Sequence, residues 1–206
     1  MILALDTSGG ELLVCLLDDE MEIAAGVCIP GRRHQEGVLD AVAEVLGGRE
    51  GIANLGAVAV VRGPGSQTGL RVGMAAAEGL AFGPRLQLIP LSSLAVAAHR
   101  AAAEGEVLAA VSAGRSNVYA QLFQARGAAR VPTGRRLLGG APSISAQLTG
   151  DRRVPLGAEA QLLGAFGVAA DPQGSSGVEA LAAASREAIR VGTAVSYHGL
   201  TGDYGE

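Results

Sequence analysis

The stretch "AVAVVRGPGSQTGLRVG", residues 57–73, combines an apolar run, a glycine-rich turn and the start of a helical pattern. Residues 57–61 are apolar throughout and rich in Val, which is typical of a strand covered on both faces of a parallel sheet. The Gly-Pro-Gly that follows predicts a turn. Ser66 or Thr68 is suited to be the N-cap of a helix that continues to about Phe82. A strand, a turn and a helix in this order predict an α/β fold.

The segments on either side extend this pattern. Upstream, "ILALDTS", "ELLVCLLDD" and "EIAAGVCIP" predict an antiparallel meander, and "GVLDAVAEVLGG" predicts an amphipathic helix. Downstream, "LQLIPL" and "SLAVAAHRAAAEG" predict a further strand and helix. The order through residue 103 is therefore βββαβαβα. This is the plan of one ribonuclease-H-like half of an actin-like or sugar-kinase-like (ASKHA) fold.

The second half of the sequence repeats the pattern weakly. Residues 107–125 predict two strands joined by a polar turn, as at the start of the chain, which indicates a degenerate second copy. Residues 126–175 follow no clear period, and a helix is predicted near 177–191. We expect an N-terminal domain over residues 1–103 and a smaller, degenerate domain over residues 104–206, with the last helix packing back on the first domain.

Composition restricts the classes of function. The 206 residues carry a net charge of −4, and all 16 basic residues are Arg. They are scattered rather than clustered, which disfavours direct tight binding to a nucleic-acid backbone. No apolar run reaches the roughly 18 residues of a bilayer-spanning helix, so a cytoplasmic protein is expected. Cys15 and Cys28 lie in apolar runs without metal-ligand spacing and are expected to be buried free thiols.

The glycine loop has two interpretations. It is neither a Walker A loop, which needs a Lys after its glycines, nor a dinucleotide fingerprint, in which the third glycine would come one position earlier. Its amides and the following helix start could still hold an anion, as part of a vestigial phosphate site made by Gly63, Gly65, Ser66 and Arg71. The alternative is that the glycines turn the chain and allow close packing against the next helix.

Asp6 is the candidate for metal-dependent chemistry. It lies where a buried strand meets a Thr7-Ser8-Gly-Gly turn, which is where phosphotransferases of this fold hold magnesium and phosphates. The alternative is that Asp6 caps the turn by accepting amide hydrogen bonds. The corresponding place in the second half offers only the hydroxyl of Ser112. His34, His99 and His198 have no metal-ligand spacing, so we predict no metal. Because a single carboxylate cannot make a phosphoryl-transfer site, we also predict no catalytic residue and no cofactor.

Five motifs together resemble the bacterial TsaB (YeaZ) family. They are "ILALDTS", "HQEGVL", "VVRGPGSQTGLRVGMAAAEGLA", "IPLSSLAVAA" and "VSAGRSNVYAQLF", in the order and spacing of that family. The resemblance covers roughly the first 125 residues and is most specific at residues 63–71. It implies a non-catalytic scaffold that forms a heterodimer with the related subunit TsaD. With the ATPase TsaE, these proteins transfer a threonylcarbamoyl group to adenosine beside the tRNA anticodon.

The resemblance also implies where the partner binds. The two N-terminal helices would pack on TsaD through Leu39, Val42, Leu46, Gly69, Leu70, Gly73, Met74 and Ala77, and Val42→Asp or Ala77→Arg would then abolish association. TsaE would be reached only through the complex, tRNA only indirectly, and the lone chain could form a homodimer through this face. Two enzymatic alternatives remain: an ATP-binding ASKHA enzyme with Asp6 linked to magnesium, and a peptidase.

Overall fold

The protein is a mixed α/β structure built on two sheets. The computed structural model describes residues 1–31, 37–149, 154–167, 174–196 and 200–203. His34 and His198, considered above as ligands, lie outside these residues. None of the described helices is long and apolar enough to cross a bilayer.

The first sheet has five strands in the spatial order β3-β2-β1-β4-β5. Its strands are β1 (Ile2–Asp6), β2 (Glu11–Leu17), β3 (Ile23–Pro30), β4 (Ala57–Gly63) and β5 (Gln87–Ser92). The first three form the predicted antiparallel meander, and β4 pairs parallel to both β1 and β5. Residues 57–61 are all buried, as expected for a strand covered on both faces.

Three helices connect these strands in the predicted order. They are α1 (Val38–Leu46), α2 (Gln67–Phe82) and α3 (Ser93–His99), and a short 3-10 turn, Arg49–Asn54, follows α1. Gly47 ends α1 in the left-handed conformation, with φ of 67°, which glycine adopts without steric cost. The predicted βββαβαβα order is therefore confirmed.

The second sheet has four strands in the spatial order β8-β7-β6-β9. They are β6 (Gly105–Gly114), β7 (Asn117–Arg126), β8 (Ala129–Gly140) and β9 (Leu156–Gly157). The pair β6 and β7 is antiparallel, as predicted for residues 107–125. Two helices, α4 (Ala141–Thr149) and α5 (Ala160–Leu163), accompany this sheet.

The last helix, α6 (Gly177–Val191), packs on the first sheet rather than the second. Its buried residues Ala180, Leu181, Ala182 and Ala184 belong to the same apolar core as β1, β2 and β4. Ser176 caps it, since the Ser176 hydroxyl accepts from the Glu179 amide and the Glu179 carboxylate accepts from the Ser176 amide. This reciprocal arrangement satisfies two backbone donors at the helix start.

A half-buried carboxylate, that of Glu187, links helices α3 and α6 to the second sheet. Glu187 of α6 accepts from the backbone amide of Arg130 in β8, at 3.0 and 3.2 Å. Glu187 also contacts the His99 ring, whose Nε2 lies 3.0 Å from Glu187 Oε2. Burial lowers the pKa of His99 below its ordinary value of 6.5, against the raising effect of the bond to Glu187. Three separate elements are thereby joined at one point.

One expectation about the cysteines is wrong. Cys15 is buried in β2, as predicted, but Cys28 is exposed. Cys28 lies in β3, an edge strand along which exposed and half-buried residues alternate. An apolar sequence run was not sufficient for burial because no strand of the described residues lies on the outer side of β3.

Candidate functional site

The glycine loop is fastened to the turn that follows β1. The Ser66 amide donates to the Ser8 carbonyl at 2.9 Å. The Ser66 hydroxyl accepts from the Gly69 amide at 3.3 Å, so Ser66, rather than Thr68, is the N-cap of α2. A side chain at Gly65 would also collide with this turn, because its Cβ would lie 2.7 Å from the Ser8 carbonyl oxygen. The loop therefore packs closely on the β1 turn.

Thr7 explains the two glycines at the start of α2. A Cβ on Gly69 would lie 2.0 Å from the Thr7 carbonyl oxygen, and one on Gly73 would lie 2.3 Å from Thr7 Oγ1. The buried Thr7 hydroxyl donates to the Gly69 carbonyl at 2.7 Å. These contacts fit the packing interpretation of the glycines, but the element packed on them is the β1 turn rather than another helix.

Asp6 caps its own turn. Its Oδ1 accepts from the Ser8 amide at 2.8 Å and from the Ser8 hydroxyl at 2.6 Å. Burial raises the pKa of the Asp6 carboxyl above its ordinary 3.8, although the bonds from Ser8 oppose this shift. The turn-capping alternative describes this geometry, since the carboxylate is already engaged by groups two residues away.

The space beside Asp6 is almost filled. The side chains of Asp6, Ser93, Arg100 and Glu159 leave a cavity of about 10 Å³, which is about what one water molecule needs. A ligand pocket usually has at least about 300 Å³. Arg100 is held by Glu11, with Nη2 to Oε2 at 2.7 Å. This geometry disfavours the ATP-binding alternative.

Glu159 was not anticipated from the sequence. It lies at the start of α5, and both of its carboxylate oxygens lie 3.1 Å from the Gly10 amide nitrogen. Nothing in the sequence around it gives a motif. Of the other members of the predicted phosphate site, Gly63 packs against the Asp203 carbonyl, and Arg71 is exposed on α2.

Within the described part of the chain, no three His, Cys, Asp or Glu side chains are placed to hold a metal ion. Of the histidines in that part, His99 is committed to Glu187.

The structure places most of the residues predicted to meet a partner in the interior of the chain. Leu39 is exposed, at 60%. The other seven are buried in this chain: Val42, Leu46, Gly69, Leu70, Gly73, Met74 and Ala77. The sequence period identified an apolar stripe, but that stripe faces the protein's own sheet. Because Val42 is 3% and Ala77 0% exposed, the substitutions Val42→Asp and Ala77→Arg would test folding rather than association.

The outward side of the same two helices carries an apolar groove. It has a volume of about 450 Å³ and lies between α1, the 3-10 turn and the second half of α2. Its lining consists of Leu39, Ile52, Ala75, Ala76, Gly79, Leu80, Gly83 and Pro84. Phe82, at the end of α2, is 68% exposed. We call this surface the α1–α2 groove.

Comparison with known proteins identifies relatives. The family model described as TsaD, tRNA N6-adenosine threonylcarbamoyltransferase, matches residues 26–134. The protein named tRNA threonylcarbamoyladenosine biosynthesis protein TsaB from Haemophilus influenzae is 39% identical over 124 residues, which cover 57% of this chain and 51% of that protein. Its namesake from Escherichia coli is 36% identical over 127 residues, covering 60% and 54%. The chain spans about half the length of these curated relatives.

Solved structures match over almost the whole chain. YeaZ from Pseudomonas aeruginosa superposes with a TM-score of 0.72 and 23% identity, covering 98% of both chains. A structure described as similar to peptidase YeaZ, from the same organism, gives 0.75 and 21%, again covering 98% of both. At these identities the match shows the fold. Because the family model spans more than half of the 206 residues and the curated relatives carry the name TsaB, the chain belongs to this family, in its TsaB (YeaZ) branch.

Proposed function

We propose that this chain is a non-catalytic, cytoplasmic scaffold subunit in tRNA threonylcarbamoyladenosine biosynthesis, where it binds TsaD and supports threonylcarbamoyl transfer. Its involvement in this biosynthesis is supported by the curated relatives, which are named tRNA threonylcarbamoyladenosine biosynthesis protein TsaB. TsaE would be reached through the complex, and tRNA would be contacted only indirectly. The two sheets would correspond to two ribonuclease-H-like halves of an ASKHA fold, the second degenerate, divided near residue 103.

The α1–α2 groove is the observation that carries the proposal. Ala75, Ala76, Gly79 and Gly83 make its floor small, so that a helix of the partner could approach closely. Leu39, Leu80 and the exposed Phe82 offer apolar surface at its edges. An apolar groove of this kind on an exposed helix pair is typical of a protein interface.

The β1 turn supports the non-catalytic part of the proposal. Asp6 is engaged by Ser8, and Glu159 occupies the amide of Gly10. A phosphoryl-transfer site needs an accessible carboxylate for magnesium and free amides for the phosphates. One carboxylate oxygen of Asp6 and the amide of Gly10 are already used within the chain.

The test is association with purified TsaD from the same organism, measured by isothermal titration calorimetry and size-exclusion chromatography. Leu39→Asp should weaken binding at least about tenfold, since it places a charge in a desolvated contact. Leu138→Asp is the matched control, because Leu138 is 57% exposed on the second sheet, close to the 60% of Leu39. A Leu39→Asp variant that binds TsaD as the wild type does would contradict the groove as the interface.

A complementary experiment addresses chemistry. Magnesium-ATP titrated into the lone chain should give no heat of binding, and tRNA modification should require both this chain and TsaD. Turnover by the lone chain that is lost in Asp6→Ala would favour the enzymatic alternative.

A further inference from the structure

The turn after β1, in the first sheet, contacts a side chain from the part of the chain that forms the second sheet. Glu159, which lies between β9 and α5, reaches across and accepts the Gly10 amide hydrogen with both carboxylate oxygens at 3.1 Å. The side-chain amide of Gln161 donates to the same carboxylate. The carboxylate is therefore held by one donor from each side of the boundary between the sheets.

The Glu159 and Gln161 side chains pack directly against Gly9 and Gly10. A Cβ on Gly9 would lie 1.6 Å from Glu159 Oε1, and a Cβ on Gly10 would lie 1.9 Å from Gln161 Nε2. Neither glycine has a positive φ, so the backbone conformation does not by itself require glycine. The space that a side chain would fill at each position is occupied by Glu159 or Gln161.

The Glu159 carboxylate oxygens accept from a backbone amide of the β1 turn, as the oxygens of an anion would. Backbone amides at such a turn attract negatively charged oxygens, and Gly10 follows the buried strand that carries Asp6. With Glu159 in place, about 10 Å³ remains beside Asp6, too little for a phosphate group. Burial raises the pKa of the Glu159 carboxyl, and the nearby Asp6 adds to this shift.

We infer that Glu159 is a built-in ligand of the β1 turn: its carboxylate takes the place of a phosphate oxyanion and fastens α5 to the first sheet. The two sheets are thus held together at this turn without any nucleotide. Removal of the carboxylate exposes an oxyanion site that inorganic phosphate can enter. This inference stands independently of TsaD binding.

The experiment uses the full chain labelled with ¹⁵N and follows the Gly9 and Gly10 amides by NMR. In Glu159→Ala, hydrogen exchange at Gly10 should accelerate at least about tenfold, as expected for the loss of a bond to a charged acceptor. Titration with inorganic phosphate should shift the Gly9 and Gly10 signals in this variant and leave them unchanged in the wild type.

Glu104→Ala is the matched control. The Glu104 carboxylate accepts the Gly127 amide with both oxygens, at 2.9 and 3.1 Å, but on an exposed turn of the second sheet. Glu104→Ala should accelerate hydrogen exchange at the Gly127 amide. It should leave exchange at the Gly10 amide and phosphate binding as in the wild type. Glu159→Gln keeps one acceptor oxygen and should retain protection at Gly10.

Gly9→Ala approaches the same contact from the opposite side, since the new methyl group would displace Glu159. Gly9→Ala should accelerate hydrogen exchange at the Gly10 amide. It replaces Glu159→Ala in the experiment if that variant fails to fold. Unchanged exchange at Gly10 in both variants would overturn the inference. So would equal phosphate responses in wild type and Glu159→Ala, or no phosphate response in a folded variant whose Gly10 amide exchanges rapidly.

Discussion

Three glycines of α2 should respond differently to the same substitution by alanine. A Cβ on Gly79 would have no atom within 4 Å, whereas a Cβ on Gly73 would lie 2.3 Å from the Thr7 hydroxyl and one on Gly69 would lie 2.0 Å from the Thr7 carbonyl oxygen. Alanine in a helix interior is intrinsically favoured over glycine by about 0.5–1 kcal/mol. Gly79→Ala should therefore raise the free energy of unfolding by about that amount.

The other two substitutions add a steric cost. In Gly73→Ala the Thr7 hydroxyl must rotate and lose its bond to the Gly69 carbonyl, which costs about 1–3 kcal/mol for a buried group and offsets the helix gain. In Gly69→Ala the obstacle is backbone, which cannot rotate away, so overpacking should cost about 2–3 kcal/mol. The expected order of stability is Gly79→Ala above wild type, then Gly73→Ala, then Gly69→Ala.

Urea unfolding at fixed pH, followed by circular dichroism, measures this order. A loss of about 2–3 kcal/mol should lower the urea midpoint by about 1–1.5 M, with a slope of about 2 kcal/mol/M. A second substitution, Thr7→Ala, itself loses the bond to the Gly69 carbonyl but should remove the further cost of Gly73→Ala, because the nearest remaining Thr7 atom, Cβ, would be 3.5 Å away. It should not rescue Gly69→Ala. Equal stability of Gly69→Ala and Gly79→Ala would refute the close approach of the β1 turn to α2.

The remaining predictions concern capping and pH. Ser176→Ala should cost about 1 kcal/mol of unfolding free energy, whereas Ser92→Ala should cost little, since the Ser92 side chain makes no capping bond to α3. Burial lowers the pKa of His99, so the unfolded chain binds more protons than the folded one below pH 6.5. The free energy of unfolding should therefore fall as the pH drops below 6.5. His99→Gln should reduce this loss, as measured by urea unfolding at several pH values. The raised pKa of Asp6 has the opposite sign: stability should fall as pH rises above 3.8, and less so in Asp6→Asn. If a substitution leaves the pH dependence of unfolding free energy unchanged, the pKa shift assigned to the residue it replaces is contradicted.

The first sheet could be predicted because its local signals agree with its packing. The buried Val-rich run of β4, the Gly-Pro-Gly turn and Ser66 each specify one element, and each lies where it was expected. The helix near 177–191 was also predicted from its period and is capped at Ser176. These features depend on residues close together in sequence.

Three features could not be predicted. Strand β8 was missed because Pro132 and Gly134 interrupt its alternation and a bulge lies opposite Ala120 and Leu122 in β7. Glu159 was missed because its partner, Gly10, is far away in sequence. The apolar stripe of α2 was found, but periodicity alone does not tell a core face from an exposed one.

Helix α6 supplies Leu181 and its alanine neighbours to a core otherwise made by the first part of the chain. During synthesis on a ribosome, the apolar core that covers the five-stranded sheet therefore remains incomplete until residues 177–191 have emerged. Such contacts between distant segments slow folding, and the open face of the nascent sheet is vulnerable to aggregation in the interval. A truncated gene product ending before residue 177 should consequently depend on chaperones or be degraded.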